Sequence, residues 1–350
     1  MSIDRKPADE MQQTRKEGPG GASSKAIERP LGKTWSERLE AVSLPLVWFA
    51  VFAVFAAMMP ETFLSGANFA STLSFRSVML ILTLALLVPL IGGDFDLSIA
   101  SVLTLTAMII AQLNVIRGWG IGPTIAVAVL VALLIGLING LITVGFGIQS
   151  LVVTLGTSTF IEGIILWISG SNTVSGISPG LVNSVIITRF LGVPMAFWYA
   201  IVLSALIWYV LEYTVYGKRL LFVGRNRQVS RLSGIKVSWY RVGAFVSSAL
   251  IASIGGIVYA GMTGSADPSS GLQFLLPAFA AAFLGATTIT PGRFNVLGSI
   301  IAVYFLATGI TGLQLFGADS YVQQLFYGGA LVIAVAVSQV LARRRLGRVD

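Results

Sequence analysis

Ten stretches of this chain are apolar enough, and long enough or nearly so, to cross a hydrocarbon layer that takes about 20 residues of helix. They run over 41–59, 75–91, 97–115, 123–146, 150–169, 195–214, 241–261, 273–288, 294–313 and 321–341. Inside lipid a backbone must satisfy its own amides, so repeated runs of this length predict an all-α polytopic membrane protein. Composition agrees, with 55% hydrophobic and only 11% charged residues, which excludes a soluble globule.

Basic residues set the orientation. The first forty residues carry eight, the segment from Lys218 to Arg241 carries seven, and the chain finishes with Arg343, Arg344, Arg345 and Arg348. Positive charge stays in the cytoplasm, so six spans must precede the basic segment and four follow it, which is the count given by hydropathy. Both termini are then cytoplasmic, and 169–194, with one Arg and no Lys, lies outside.

Residues 1–40 mix both charges with Gly, Ser and Pro and read as a solvated, disordered tail. Thr34 to Glu37 fits a capping box, predicting a short interfacial helix with Trp35 and Leu39. The first apolar run begins too late for a signal peptide and is read as a retained span. A transmembrane domain over 41–342 follows, with a cytoplasmic loop at 217–240 and a basic tail at 343–350.

Cysteine and histidine are both absent, which removes disulfides, thiolate chemistry, imidazole bases and the usual zinc ligands. No G-x-x-x-x-G-K-[ST] frame of a phosphate-binding loop occurs; the pair Gly217-Lys218 continues into Arg219 and lacks the upstream glycine. With no nucleophile–base arrangement either, the chain reads as no enzyme, with no cofactor or metal of its own and no nucleic-acid partner.

GGDFDLSIAS, Gly92 to Ser101, places two carboxylates between apolar runs. An Asp facing lipid near the bilayer centre costs about 2.5–3.5 kcal/mol, so each needs an explanation. Asp96, before Leu97 and Ser98, is placed to cap the next helix by accepting from the amides of Ser98 or Ile99. Asp94 has no such local partner, so it is read as lining an aqueous path or pairing with Arg293. Asp94→Asn is therefore expected to change transport with little effect on melting. Arg293 sits in TTITPGRFNVLGS, Thr287 to Ser299, a second polar break that follows a short apolar run. Paired breaks of this kind point to discontinuous helices near a solute path, which Asp94, Asp96, Ser98 and Arg293 are expected to line.

Glu162 stands in an otherwise uncharged span, with Thr154 and Ser158 on the same helix face and Asn139 and Thr157 as possible neighbours. That face could offer hydroxyl and carboxylate acceptors to a polyol. Gly136 and Gly140 form a small-residue surface for helix packing. In the basic segment, Asn226 is a predicted N-cap for a short helix ending at Leu232, with Gly234 as its stop. Charge alone makes that segment a solvated loop touching anionic lipid.

Gly224, Asn226, Arg231, Leu232, Ser233, Gly234 and Ile235 spell GxNxxxxRLSGI, and here the chain resembles the ten-span permeases of ATP-binding-cassette importers for simple sugars, the ribose and xylose type. In that family this loop docks into the ATPase. Gly92, Gly93, Asp96, Leu97 and Ser98 resemble its GG-[ILV]-D-L-S, with one extra residue at Asp94-Phe95. TLGTSTFIEG, Thr154 to Gly163, and the Gly-rich run 281–299 match further motifs. Arg227-Gln228-Val229 departs from the common Glu-Ala-Ala, and Glu162 from a frequent Arg. The resemblance implies a homodimer, or a pair with a paralogue, fed by a soluble binding protein outside and driven by cytoplasmic ATPase subunits that hold ATP and magnesium. It implies a sugar or polyol as cargo and the bacterial inner membrane as location. The alternative reading is an ion- or proton-coupled secondary transporter, which has no need of a docking loop.

Overall fold

The computed structural model describes residues 35–346, with side chains over 41–340. The tail before residue 35, including Thr34 of the expected capping box, and residues 347–350 lie outside the described residues. Helix α1 (Trp35–Met58) runs without interruption from the expected interfacial segment into the first span.

Nine helical spans among the described residues are long and apolar enough to cross a membrane, and a shorter apolar helix, Leu272–Gly285, completes the ten. After α1 comes α2 (Pro60–Phe63), then α3 (Gly66–Phe75) and α4 (Ser77–Ile91), which together make one span bent at Arg76. α5 (Ile99–Ala111) continues into a π-helical turn at Gln112–Ile116, followed by α6 (Ile121–Gly145) and α7 (Ser150–Ser169). α8 (Pro179–Val182) lies in the 169–194 connection, and α9 (Met195–Tyr213) closes the first six spans. The basic segment holds α10 (Val215–Arg225) and α11 (Arg227–Leu232); α12 (Val237–Thr263), α13 (Leu272–Gly285), α14 (Val296–Leu315) and α15 (Ser320–Leu346) follow.

The basic segment differs from the expected loop with one short helix, because residues 215–225 form a second, α10. Its aliphatic positions Leu220 and Val223 are buried while its charges face outward, so amphipathicity rather than overall hydropathy makes the helix.

All fifteen residues of α4 are buried, as befits a helix that is apolar on every side. It stands at the centre, against α12, α13, α9 and α14. α6 closes on α12 through the small-residue surface. A Cβ at Gly136 would lie 2.7 Å from the Phe245 carbonyl oxygen, and one at Gly140 would lie 2.9 Å from Val242 Cα. Both glycines therefore serve packing.

Contacts support the two-sided topology independently of charge. At one end, strand β1 (Val174–Ser175) pairs antiparallel with Ser265–Ala266, and the Ser178 amide donates to Asn114 Oδ1 at 2.8 Å. At the other end the polar breaks 92–98 and 286–295 meet the basic segment and the start of the first span. Gly92 abuts Leu220 of α10, and the Ile289 amide donates to the Ala41 carbonyl at 3.1 Å. The two breaks thus share one end of the bundle.

Candidate functional site

Helix α4 stops at Gly92, and Gly93 turns the chain with φ +76°. A Cβ on Gly93 would also approach the Gly224 carbonyl oxygen to 3.4 Å, and a Cβ on Gly224 would collide with the Ile91 carbonyl. The backbones of α10 and the α4 terminus therefore touch, and only glycine fits at that crossing. Gly224, read from the sequence as a docking residue, is the place where the cytoplasmic segment is seated on the bundle.

Asp94 emerges from this turn with its side chain 3% exposed. Arg241, at the head of α12, donates Nε to Asp94 Oδ2 at 2.7 Å and Nη2 to Oδ1 at 2.8 Å, a two-pronged pair. Arg227, the first residue of α11, adds Nη2 to the same Oδ1 at 3.0 Å and to the Gly93 carbonyl at 2.8 Å. Three charge-assisted bonds offset the desolvation of this carboxylate. The expected Asp94–Arg293 pair does not form. Arg293 instead pairs with Glu212, at the end of α9, at 3.1 Å. Nor does Asp94 line an aqueous path, because its oxygens are taken up by two guanidinium groups.

Asp96 accepts from the Ser98 amide at 3.0 Å, but the expected helix cap does not form: the N-cap position of α5 is Ser98 itself, with no side-chain cap bond. Asp96 lies two residues before it, accepting also from the Ser98 hydroxyl at 2.6 Å and from Ser248 of α12 at 2.8 Å. The Ser98 hydroxyl accepts from Asn139 Nδ2 of α6 at 3.0 Å, and Asn139 Oδ1 accepts from Thr157 of α7 at 2.7 Å. The Phe95 and Leu97 amides donate to Ser150 Oγ and Thr154 Oγ1 at the start of α7. One seven-residue turn is thereby fastened to α6, α7, α11 and α12. Thr154, expected to offer its hydroxyl to a polyol, spends it on this backbone and is fully buried. Of that expected face only Ser158 and Glu162 remain together, the serine buried and the glutamate half-buried, with Ser158 Oγ donating to Glu162 Oε1 at 3.1 Å.

Helix α11 follows its sequence closely. Asn226 Oδ1 accepts from the Gln228 and Val229 amides, both at 3.0 Å, which is the expected N-cap. Gly234 takes φ +77° and the Ile235 amide donates back to the Ser230 carbonyl at 3.0 Å, ending the helix. Ser233 bonds its own helix through the Val229 carbonyl. Arg231 is exposed, and Leu232 presents an apolar side chain that is 83% exposed.

One side-chain amide, that of Asn295, makes four hydrogen bonds around the second break. Asn295 Nδ2 donates at 3.1 Å to the carbonyls of Gly285, Thr288 and Arg293, while its Oδ1 accepts from the Gly298 amide at 2.7 Å. No ion pair joins it to the first break among the described residues.

Comparison with known proteins places this architecture. Residues 68–335 match the family described as branched-chain amino acid transport system / permease component. The chain belongs to that family. Within it, the similarity is to sugar permeases. The D-allose transport system permease protein AlsC of Escherichia coli K12 is 27% identical over 296 residues, covering 84% of this chain and 90% of the relative. The ribose import permease protein RbsC of the same strain is 29% identical over 310 residues, 87% and 94% of the two chains. The probable ABC transporter permease protein YphD, also from that strain, is 30% identical over 334 residues, 92% and 98%. No solved structure matches the chain significantly. The chain is a ribose/xylose-type sugar ABC permease subunit and a multi-pass protein of the bacterial inner membrane.

Within this permease, sequence reasoning misses Arg241, Arg227, Ser248 and Ser150 as partners of the turn. Arg241 reads in sequence only as an orienting charge. The usable signal is Asp94 itself, a carboxylate with no local partner, which demands a cation from somewhere in the fold.

Proposed function

We propose that this chain is the membrane-spanning half of an ATP-driven importer for a small sugar or polyol. It works as a homodimer or beside a paralogue, receives cargo from a soluble binding protein outside, and docks through α11 onto a separate cytoplasmic ATPase that holds ATP and magnesium. Gly224, Asn226, Arg231, Leu232, Ser233, Gly234 and Ile235 form the docking element, within the cytoplasmic segment 217–240 of a transmembrane domain spanning 41–342. The observation that carries the reading is Leu232, an exposed apolar side chain on a helix whose first residue is bonded to the Asp94 turn. Such a side chain gains by entering a partner's pocket.

Force applied to α11 reaches Asp94 through Arg227, and Arg241 carries it into α12. The 92–98 turn distributes it to α6 and α7, and α7 carries Ser158 and Glu162, which we assign to the solute path. Asp96, Ser98, Asn139 and Thr154 hold that turn in register, and Arg293 braces the second break. The alternative of proton-coupled transport would fall to Glu162, since protein donors occupy Asp94 and Asp96.

The chain has no cysteine, so Leu232→Cys provides a single thiol for cross-linking to the companion ATPase. A cross-link that forms with Leu232→Cys, and not with Phe146→Cys at another exposed position, is expected. Absence of any Leu232→Cys cross-link within an assembled complex would remove α11 from the interface.

A further inference from the structure

At the end of the bundle opposite the docking helix, a cleft of about 460 Å³ opens between α3, the last turn of α14 and the first turns of α15. That volume lies in the range of small-ligand pockets, roughly 300–1,000 Å³. Its lining is unlike the rest of this apolar chain. Ser71, Thr72, Arg76, Thr311, Gln314 and Gln323 supply hydrogen-bonding groups, beside Phe75, which is 61% exposed.

The hydroxyls are uncommitted, although hydroxyls elsewhere on these helices are not. Ser74, Ser77 and Thr308 each donate to the carbonyl four residues back, at 2.7, 3.0 and 2.7 Å. Ser71, Thr72 and Thr311 make no side-chain hydrogen bond among the described residues. Arg76 is similarly unsatisfied. It stands at the bend between α3 and α4, inside the single candidate span Gly66–Ile91. Its one bond is a long contact, 3.4 Å, to the Tyr327 hydroxyl, and it forms no ion pair among the described residues. A cation within a candidate span and without an acid is a sign of function.

We propose that this cleft is an outer-side binding site for a monosaccharide-sized polyol, which the permease itself contacts before passage. Hydroxyls and amides both donate and accept, as sugar hydroxyls do, so the two sets can satisfy each other completely. An oxyanion would offer acceptors only and use just the donors of the cleft, whereas a polyol can also donate to its hydroxyl oxygens; of the amides, Gln314 Nε2 donates to Gln323 Oε1 at 3.1 Å. The planar guanidinium of Arg76 suits two neighbouring hydroxyls, and the Phe75 ring offers a flat apolar platform for the carbon face of a sugar ring. No carboxylate lines the cleft among the described residues, so it selects uncharged polyols over cationic solutes.

This inference rests on the sugar-permease reading, and the test separates the two. The full-length protein in phosphatidylglycerol-containing nanodiscs, without ATPase or binding protein, is examined by saturation-transfer NMR with D-ribose, D-allose and L-arabinose. Transfer to at least one sugar is expected, and Thr72→Val with Gln314→Leu should weaken its binding about tenfold, the effect of losing one or two hydrogen bonds. The isosteric Thr311→Val serves as an independent variant should the pair fail to fold. In the reconstituted complex the same variants should raise the half-saturating concentration for uptake more than they lower the maximal rate. No transfer from any of the three sugars, or transfer unchanged in every folded variant, overturns the site. So does retention of phosphatidylglycerol at the cleft that these sugars fail to compete. ATP-dependent uptake with wild-type half-saturation in the variants would sink the site and leave the importer standing. Sugar binding at the cleft without ATP-dependent uptake would do the reverse.

Discussion

Asp94→Asn should lower the melting temperature more than Asp96→Asn, the opposite of what the sequence suggests. The carboxylate of Asp94 is 3% exposed and takes two bonds from Arg241, whose side chain is only 10% exposed. Neutralising one member of a buried pair strands the other charge, at a cost of about 3–5 kcal/mol. The asparagine also turns an NH₂ toward a guanidinium that can only donate. Asp96 faces neutral donors, the Ser98 amide and the hydroxyls of Ser98 and Ser248. In Asp96→Asn the new side chain keeps an oxygen for the amide and the hydroxyls can reorient, so the loss should be about 1 kcal/mol. Arg227 is 40% exposed, and its pair with Asp94 should contribute about 0–1 kcal/mol. The expected order of destabilisation is therefore Arg241→Gln and Asp94→Asn first, Asp96→Asn next and Arg227→Gln last. Intrinsic tryptophan fluorescence during heating of the purified detergent-solubilised variants reads that order directly. Arg227→Gln should nevertheless impair ATP-coupled uptake, because it cuts the link between α11 and the turn. Wild-type melting of Asp94→Asn would refute the buried ion pair.

Gly136→Leu should destabilise by at least about 1–3 kcal/mol through overpacking against α12, whereas Gly156→Ala, with no atom within 4 Å of the added Cβ, should be neutral or slightly stabilising in the same melting assay. Gly234→Trp meets open space but forces a side chain into φ +77°, so it should cost about 1–3 kcal/mol locally while abolishing coupled uptake; unchanged uptake would exclude a tight contact there. Asp267, in the outer connection, has its carboxyl held below the ordinary 3.8 by the Ser269 hydroxyl foremost, then by Thr173 and the Ser269 amide. Its stabilisation is complete above that ordinary value and is lost as pH falls through the lowered one, so Thr173→Val should diminish the drop in melting temperature seen below about pH 4.

Hydropathy makes the spans legible, because lipid imposes a length on them. The cap at Asn226 and the stop at Gly234 are legible for the same local reason: each needs only its own neighbours in sequence. The 92–98 turn is legible as a break and illegible as a joint. Its partners Ser150, Thr154, Arg227, Arg241 and Ser248 come from other helices, and no periodicity encodes which helix packs on which. Arg293 illustrates the limit. In sequence it matches Asp94 as a remote opposite charge, while Glu212, at the end of α9, stands closer in the fold. Two departures from the family pattern, the extra residue at Asp94-Phe95 and Arg227 in α11, meet in space. Seen in sequence they are separate irregularities.

The central claim is that motion of a separate ATPase drives a sugar through this chain. Proteoliposomes containing the permease with its companion ATPase, loaded with ATP on the docking-loop side, should accumulate a labelled monosaccharide delivered by the binding protein. Accumulation should vanish without the ATPase and be indifferent to an imposed proton gradient. Uptake by the permease alone that follows the proton gradient and is lost in Glu162→Gln would contradict the account.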